Sequence, residues 1–124
     1  MVRNNRHRIG VLLISLTCFT DPGGALARTA FDGDWSVVIS TSNGACVSSY
    51  RSGVQIFEGA VVAEGGAVNM QGRVTPKGAV KVTVQSGGQW ASGHGQLTKN
   101  RGGGVWRGQG TSGVCSGTWI AERR

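Results

Sequence analysis

From Trp35 onward, apolar and polar residues alternate in short runs separated by glycine-rich breaks, and no window sustains the 3.6-residue period of an amphipathic helix. Val, Ile, Ala and Trp, rather than Leu, fill most apolar positions, which favours extended structure. The alternation predicts strands at Trp35–Ser40, Val47–Ile56, Ala60–Ala63, Ala67–Val74, Ala79–Gln85, Trp90–Thr98, Val105–Gln109 and Val114–Glu122. Turn signals fall between them, at Asn43-Gly44, Glu58-Gly59, Glu64-Gly65-Gly66, Pro76-Lys77-Gly78, Ser86-Gly87-Gly88, Asn100 to Gly104 and Thr111-Ser112-Gly113.

One hairpin can be registered from sequence. In Val74-Thr75-Pro76-Lys77-Gly78-Ala79-Val80 a three-residue loop uses proline to open a type I turn and Gly78 at the left-handed site of a G1 bulge. Val74 then faces Val80, Gly72 faces Val82 and Met70 faces Val84. On the opposite face Arg73 meets Lys81, Gln71 meets Thr83 and Asn69 meets Gln85. A four-residue loop would mix the two faces, so register selects the shorter one.

Every tryptophan stands two residues after a glycine: Gly33-Asp34-Trp35, Gly88-Gln89-Trp90, Gly104-Val105-Trp106 and Gly117-Thr118-Trp119. In a strand these positions share a face, so each indole is expected to lie over the bare backbone of its own glycine, as a tightly curved sheet allows. The pattern predicts an all-β fold, an antiparallel meander of about eight short strands closed into a barrel. Two short sheets packed face to face are the alternative.

Residues 1–27 have the pattern of a cleaved signal peptide. Arg3, Arg6 and Arg8 precede the apolar run Ile9 to Leu16, and Ala25-Leu26-Ala27 supplies the small-x-small site. The run is too short to span a bilayer, and Ser15-Leu16-Thr17 does not prepare Cys18 for lipid attachment. Residues 28–124 are expected to form one soluble, exported domain, periplasmic or secreted. This domain retains two cysteines, Cys46 and Cys115, which outside the cytoplasm are expected to form one disulfide. A transmembrane barrel does not fit, since eight strands of about 9–11 residues would nearly exhaust the chain and the outer face of the registered hairpin is polar.

The termini of this domain, Phe31-Asp32-Gly33-Asp34-Trp35 and Cys115-Ser116-Gly117-Thr118-Trp119, resemble a group of small exported bacterial proteins that open on a Gly-x-Trp strand and close on Cys-Ser-Gly-Thr-Trp. That resemblance implies no activity and transfers no catalytic residue. Gly33-x-Trp35 with basic residues on the last strand is also remotely similar to the calycin barrels, where a first-strand Trp packs beneath a late Arg. In size, early Gly-x-Trp and single disulfide the chain resembles the periplasmic protease-inhibitor barrels.

Charge and chemistry narrow the function. Residues 28–124 hold ten Lys/Arg and five Asp/Glu, which favours acidic partners. Arg73, Lys77 and Lys81 are expected to form one basic group on the hairpin. Lys99, Arg101 and Arg107 would form a second around the Asn100 to Gly104 loop. Trp90, Ser92, His94 and Gln96 share one strand face, as a binding stripe if exposed or as the lining of a partly polar cavity if turned inward. Arg101-Gly102-Gly103-Gly104 lacks the Lys-Ser/Thr and helix of a phosphate loop and reads as a flexible hairpin tip.

His94 is the sole histidine of the domain, so one chain cannot build a His/Cys zinc cluster. The five carboxylates show no paired spacing, and no nucleophile-elbow sequence accompanies the serines. Aromatic residues are too few for a platform that stacks single-stranded nucleic acid. The expectation is a non-enzymatic binding module without cofactor or metal, its partner an extracytoplasmic protein or an anionic polymer, an inhibitor of an exported hydrolase being one version. A small-ligand carrier with its site inside the barrel is the alternative, and a hydrolytic enzyme the weaker one.

Overall fold

The computed structural model describes residues 28–66 and 68–124, with Gly10, Ile14 and Ser15 as isolated positions. The rest of the signal segment, Cys18 included, therefore lies outside the described residues. Eight antiparallel strands run in sequence order round a closed barrel: β1 (Gly33–Asn43), β2 (Ser49–Phe57), β3 (Ala60–Ala63), β4 (Asn69–Val74), β5 (Ala79–Ser86), β6 (Gln89–Leu97), β7 (Arg101–Gly110) and β8 (Gly113–Arg123). A 3-10 turn, Glu64–Gly66, comes directly after β3. Each strand pairs with its sequence neighbour, and β1 with β8 closes the ring.

The β4–β5 hairpin has the expected register at all six pairs, from Asn69 with Gln85 to Val74 with Val80. Its loop closes through Thr75 N–H to the Ala79 carbonyl (2.9 Å), and Gly78 takes φ 88°. At the β2–β3 turn Glu58 and Gly59 both have positive φ, 50° and 80°, the backbone of a two-residue hairpin turn. Glu58 is not a glycine, and its strained conformation is held by Asp32, whose carboxylate accepts the N–H groups of Glu58 (2.8 Å) and Gly59 (3.2 Å).

Two expectations are corrected. Arg101-Gly102-Gly103-Gly104 is not a hairpin tip but the start of β7, paired on both sides. A side chain at Gly104 would collide with the His94 carbonyl and come within 2.7 Å of the Gly95 Cα, so the glycines serve close strand approach. The second correction concerns the indoles. Trp119 stands opposite Gly104 and covers Gly95, while Trp106 stands opposite Gly93 and Gly117. They cover glycines of neighbouring strands, because cross-strand neighbours lie nearer than residues two apart along one strand.

Side chains alternate in and out along every strand. The fully packed core, Phe31, Trp35, Val54, Ile56, Val61, Val74, Val80, Leu97 and Ala121, gathers at one end of the barrel, where β1 starts and β8 finishes. At the opposite end Cys46, in the β1–β2 connection, is bonded to Cys115 at the start of β8.

Candidate functional site

The packed end is closed by a short plug ahead of β1. Phe31 is buried there, and its carbonyl accepts the Trp35 indole N–H at 2.9 Å. The Arg123 guanidinium lies 4.7 Å from the Trp35 ring centroid, within cation–π range. It also donates to the carbonyls of Asp32 (2.6 Å), Ala30 (2.7 Å) and Lys99 (3.0 Å). One side chain thus ties the plug, the β6–β7 turn and the first strand together. Burial pushes the Asp32 carboxyl up, but hydrogen bonds from the Thr29 hydroxyl and the Glu58 and Gly59 amides outweigh it and leave the group below its ordinary value of 3.8.

Toward the other end the inward rows stop meeting. A cavity of about 210 Å³ occupies the lumen, its wall formed by Val37, Ile39, Met70, Val82, Val84, Trp106 and Trp119 above a floor of Trp35, Val54 and Leu97. The wall residues face inward by register yet stay partly accessible, as expected of a lumen open to solvent. Gly93 and Ala91 in its wall leave space that larger residues would fill. A second cavity of about 170 Å³ adjoins it at the mouth, shares Val84, Ala91 and Trp106, and is lined also by Cys46, Ser86 and Gln89.

The lumen offers almost no hydrogen bonding. Trp106 Nε1 donates to the Ser40 carbonyl (3.0 Å) and Trp119 Nε1 to the His94 carbonyl (3.3 Å), so each indole spends its polar edge on the wall. Among the described residues no polar or charged side chain is buried. Such a space suits apolar matter rather than water, which needs two or more polar partners.

The barrel wall is thinnest beside β3. Only Ala60 and Val61 pair with β4, so Asn69–Gln71 of β4 have no partner on that side. The Glu64–Gly66 turn lies there, and the Glu64 carboxylate pairs with Arg124 at 2.8 Å.

The sequence-derived candidates fall mainly outside. Trp90, Ser92, His94 and Gln96 form the outer face of β6, all exposed, whereas Ala91, Gly93, Gly95 and Leu97 face the lumen. Gln96 Nε2 donates to the Lys77 carbonyl (2.5 Å) and fastens the β4–β5 turn. Arg73 and Lys81 are paired neighbours as expected, and His94 stands next to Lys81 in the same row. Lys77 lies on the turn at the closed end. The second basic group does not assemble: Arg101 stands opposite Glu122, while Arg107, six residues along β7, lies between Ser92 and Ser116, about 20 Å away.

Sequence reasoning missed the plug residues Phe31 and Asp32 and the open half of the lumen. The registered hairpin set Met70, Val82 and Val84 on one apolar face, but the space in front of them depends on residues across the barrel. Among the described residues no helix is long and apolar enough to cross a membrane, and no group of three or more His, Cys, Asp or Glu is placed to hold a metal. No protein-family model, curated protein or solved structure matches the chain.

Proposed function

We propose that the protein is an exported binding protein that carries a small apolar or weakly amphiphilic molecule inside its barrel. The supporting observation is the half-empty lumen, apolar throughout and open at one end. Its volume of about 210 Å³ exceeds the ~150 Å³ of a dry cavity that accepts benzene. Each buried methylene contributes about 0.8 kcal/mol. Micromolar affinity, about −8 kcal/mol, therefore asks for a chain on the order of ten carbons reaching from the lumen into the mouth. Ser86 and Gln89 supply neutral hydrogen-bonding groups for a polar end there. The disulfide and the signal-like first 27 residues support export.

The reading is tested with the apolar fluorophore N-phenyl-1-naphthylamine. Saturable fluorescence enhancement, reversed by a medium-chain alcohol, is expected for the wild type. Gly93→Val should abolish it, because a Cβ at Gly93 points into open lumen with its nearest neighbours 3.5–3.8 Å away. Equal binding by the two proteins would overturn the reading.

A further inference from the structure

Charge is sorted along the barrel axis. The closed-end connections carry Glu58, Lys77 and Lys99, whereas at the open end Asn43–Ser48, Gly87–Gly88 and Thr111–Ser112 are uncharged. The fourth open-end connection has Glu64, already neutralised by Arg124. This uncharged end also exposes large apolar side chains: Val47 is 73% exposed, Tyr50 59%, Val114 54% and Trp90 40%. The disulfide joins the loop that carries Val47 to the start of β8, which carries Val114.

Arg107 stands close behind that rim. The outermost row on β4–β8 is Asn69, Gln85, Trp90, Gln109, Val114, without charge. The next contains Arg107, and the one behind it Arg73, Lys81 and His94. Rows two residues apart are separated by about 7 Å along the strand, and barrel tilt shortens this along the axis. Arg107 therefore lies within one Debye length of a surface touching the rim, about 8–10 Å at moderate salt, whereas Arg73 and Lys81, next to Val74 and Val80 of the packed end, lie beyond it. Between Glu64 and Glu122 the sequence has no carboxylate side chain to neutralise Arg107.

We propose that the open end docks on an anionic lipid bilayer, with Val47, Tyr50, Trp90 and Val114 in the interfacial layer and Arg107 drawn to the headgroups. Amphipathic Trp and Tyr rings favour that layer, and an uncharged rim backed by the unneutralised Arg107 complements an apolar interface with anionic phosphates. The inference rests on the reading of the lumen as a ligand site, because the docked mouth would let an apolar molecule pass between bilayer and barrel without crossing water.

Flotation of the purified protein with phosphatidylcholine vesicles, with and without phosphatidylglycerol, tests it. Binding is expected to the anionic vesicles, weakening as salt rises. Arg107→Gln should weaken it about five-fold and the exposed pair Val47→Ser/Val114→Ser about ten-fold, whereas Lys81→Gln, near the closed end, should leave it unchanged, with fluorophore binding retained in all of them. No flotation, or flotation unaffected by the rim pair, would overturn docking. If the rim pair instead abolished a dimer seen by light scattering, the rim would be a contact between copies and the proposal would fall. Gly93→Val separates the two readings: it should lose the fluorophore and still float. A wild type that floats without binding fluorophore would sink the carrier reading and leave docking standing.

Discussion

Gly93 and Gly95 lie two residues apart on the lumen face of β6, yet they should respond to alanine in opposite ways. A Cβ at Gly93 meets only ordinary contacts at 3.5 Å and beyond, whereas one at Gly95 runs into the Gly103 carbonyl and comes within 2.6 Å of the Trp119 ring. Gly93→Ala should gain roughly 0.4–1 kcal/mol by restricting the unfolded chain. Gly95→Ala should lose about 1–3 kcal/mol by overpacking against backbone that cannot swing aside. Urea midpoints of the two variants decide it, and shifts of the same sign would contradict the packing of Trp119 over β6. The Gly-x-Trp spacing was legible as strand, but which glycine an indole covers was not. That depends on the register of a strand distant in sequence, and only the β4–β5 pair had a turn explicit enough to fix one.

At the scale of elements, the closed end depends on the Asp32 carboxylate and the Arg123 guanidinium. Asp32 has its folded pKa below the ordinary 3.8. Its stabilising contribution is therefore complete above that value and is lost as pH falls through the folded pKa. Asp32→Asn should lower the thermal midpoint at neutral pH and flatten the wild-type decline below about pH 4, which a calorimetric pH series would read. A decline equally steep in both proteins would move the acid-sensitive group elsewhere. Arg123→Met keeps much of the packing over Trp35 but removes three charge-assisted hydrogen bonds. Its cost should be about 2–4 kcal/mol, below three full bonds because the site is partly wet, with a shift in Trp35 emission. The β4–β5 hairpin could be read because turn chemistry, alternation and face separation agreed. The start of β7 could not, since a triple glycine has the composition of a turn whether it bends the chain or lets two strands approach closely. The binding stripe on β6 was likewise recognised as one face, but its orientation emerged only from Leu97 and Ala91 packing inward.

Across the whole molecule, the disulfide and the strand ring perform separable tasks. Eight registered β1–β8 pairs close the barrel independently of Cys46. The Cys46–Cys115 bridge, spanning 69 positions of sequence, reaches instead from the β1–β2 connection to the mouth. Removing it should leave the fold intact and lower stability by up to about 4 kcal/mol, the loop-closure value for a span of this length. In Cys46→Ser/Cys115→Ser the urea midpoint should therefore fall, and the near-ultraviolet signature of packed Trp35 should persist in the native baseline. The denaturant slope serves as the control: a changed slope would mean that surface exposed on unfolding had changed as well as stability. Because Cys46 lines the mouth rather than the lumen floor, fluorophore affinity should fall less than in Gly93→Val. Vesicle binding should suffer more, since the loop that carries Val47 loses its tether to β8. Equal loss of both activities would make the bridge a general support of the barrel, whereas loss of docking with the lumen still occupied would assign it to the rim.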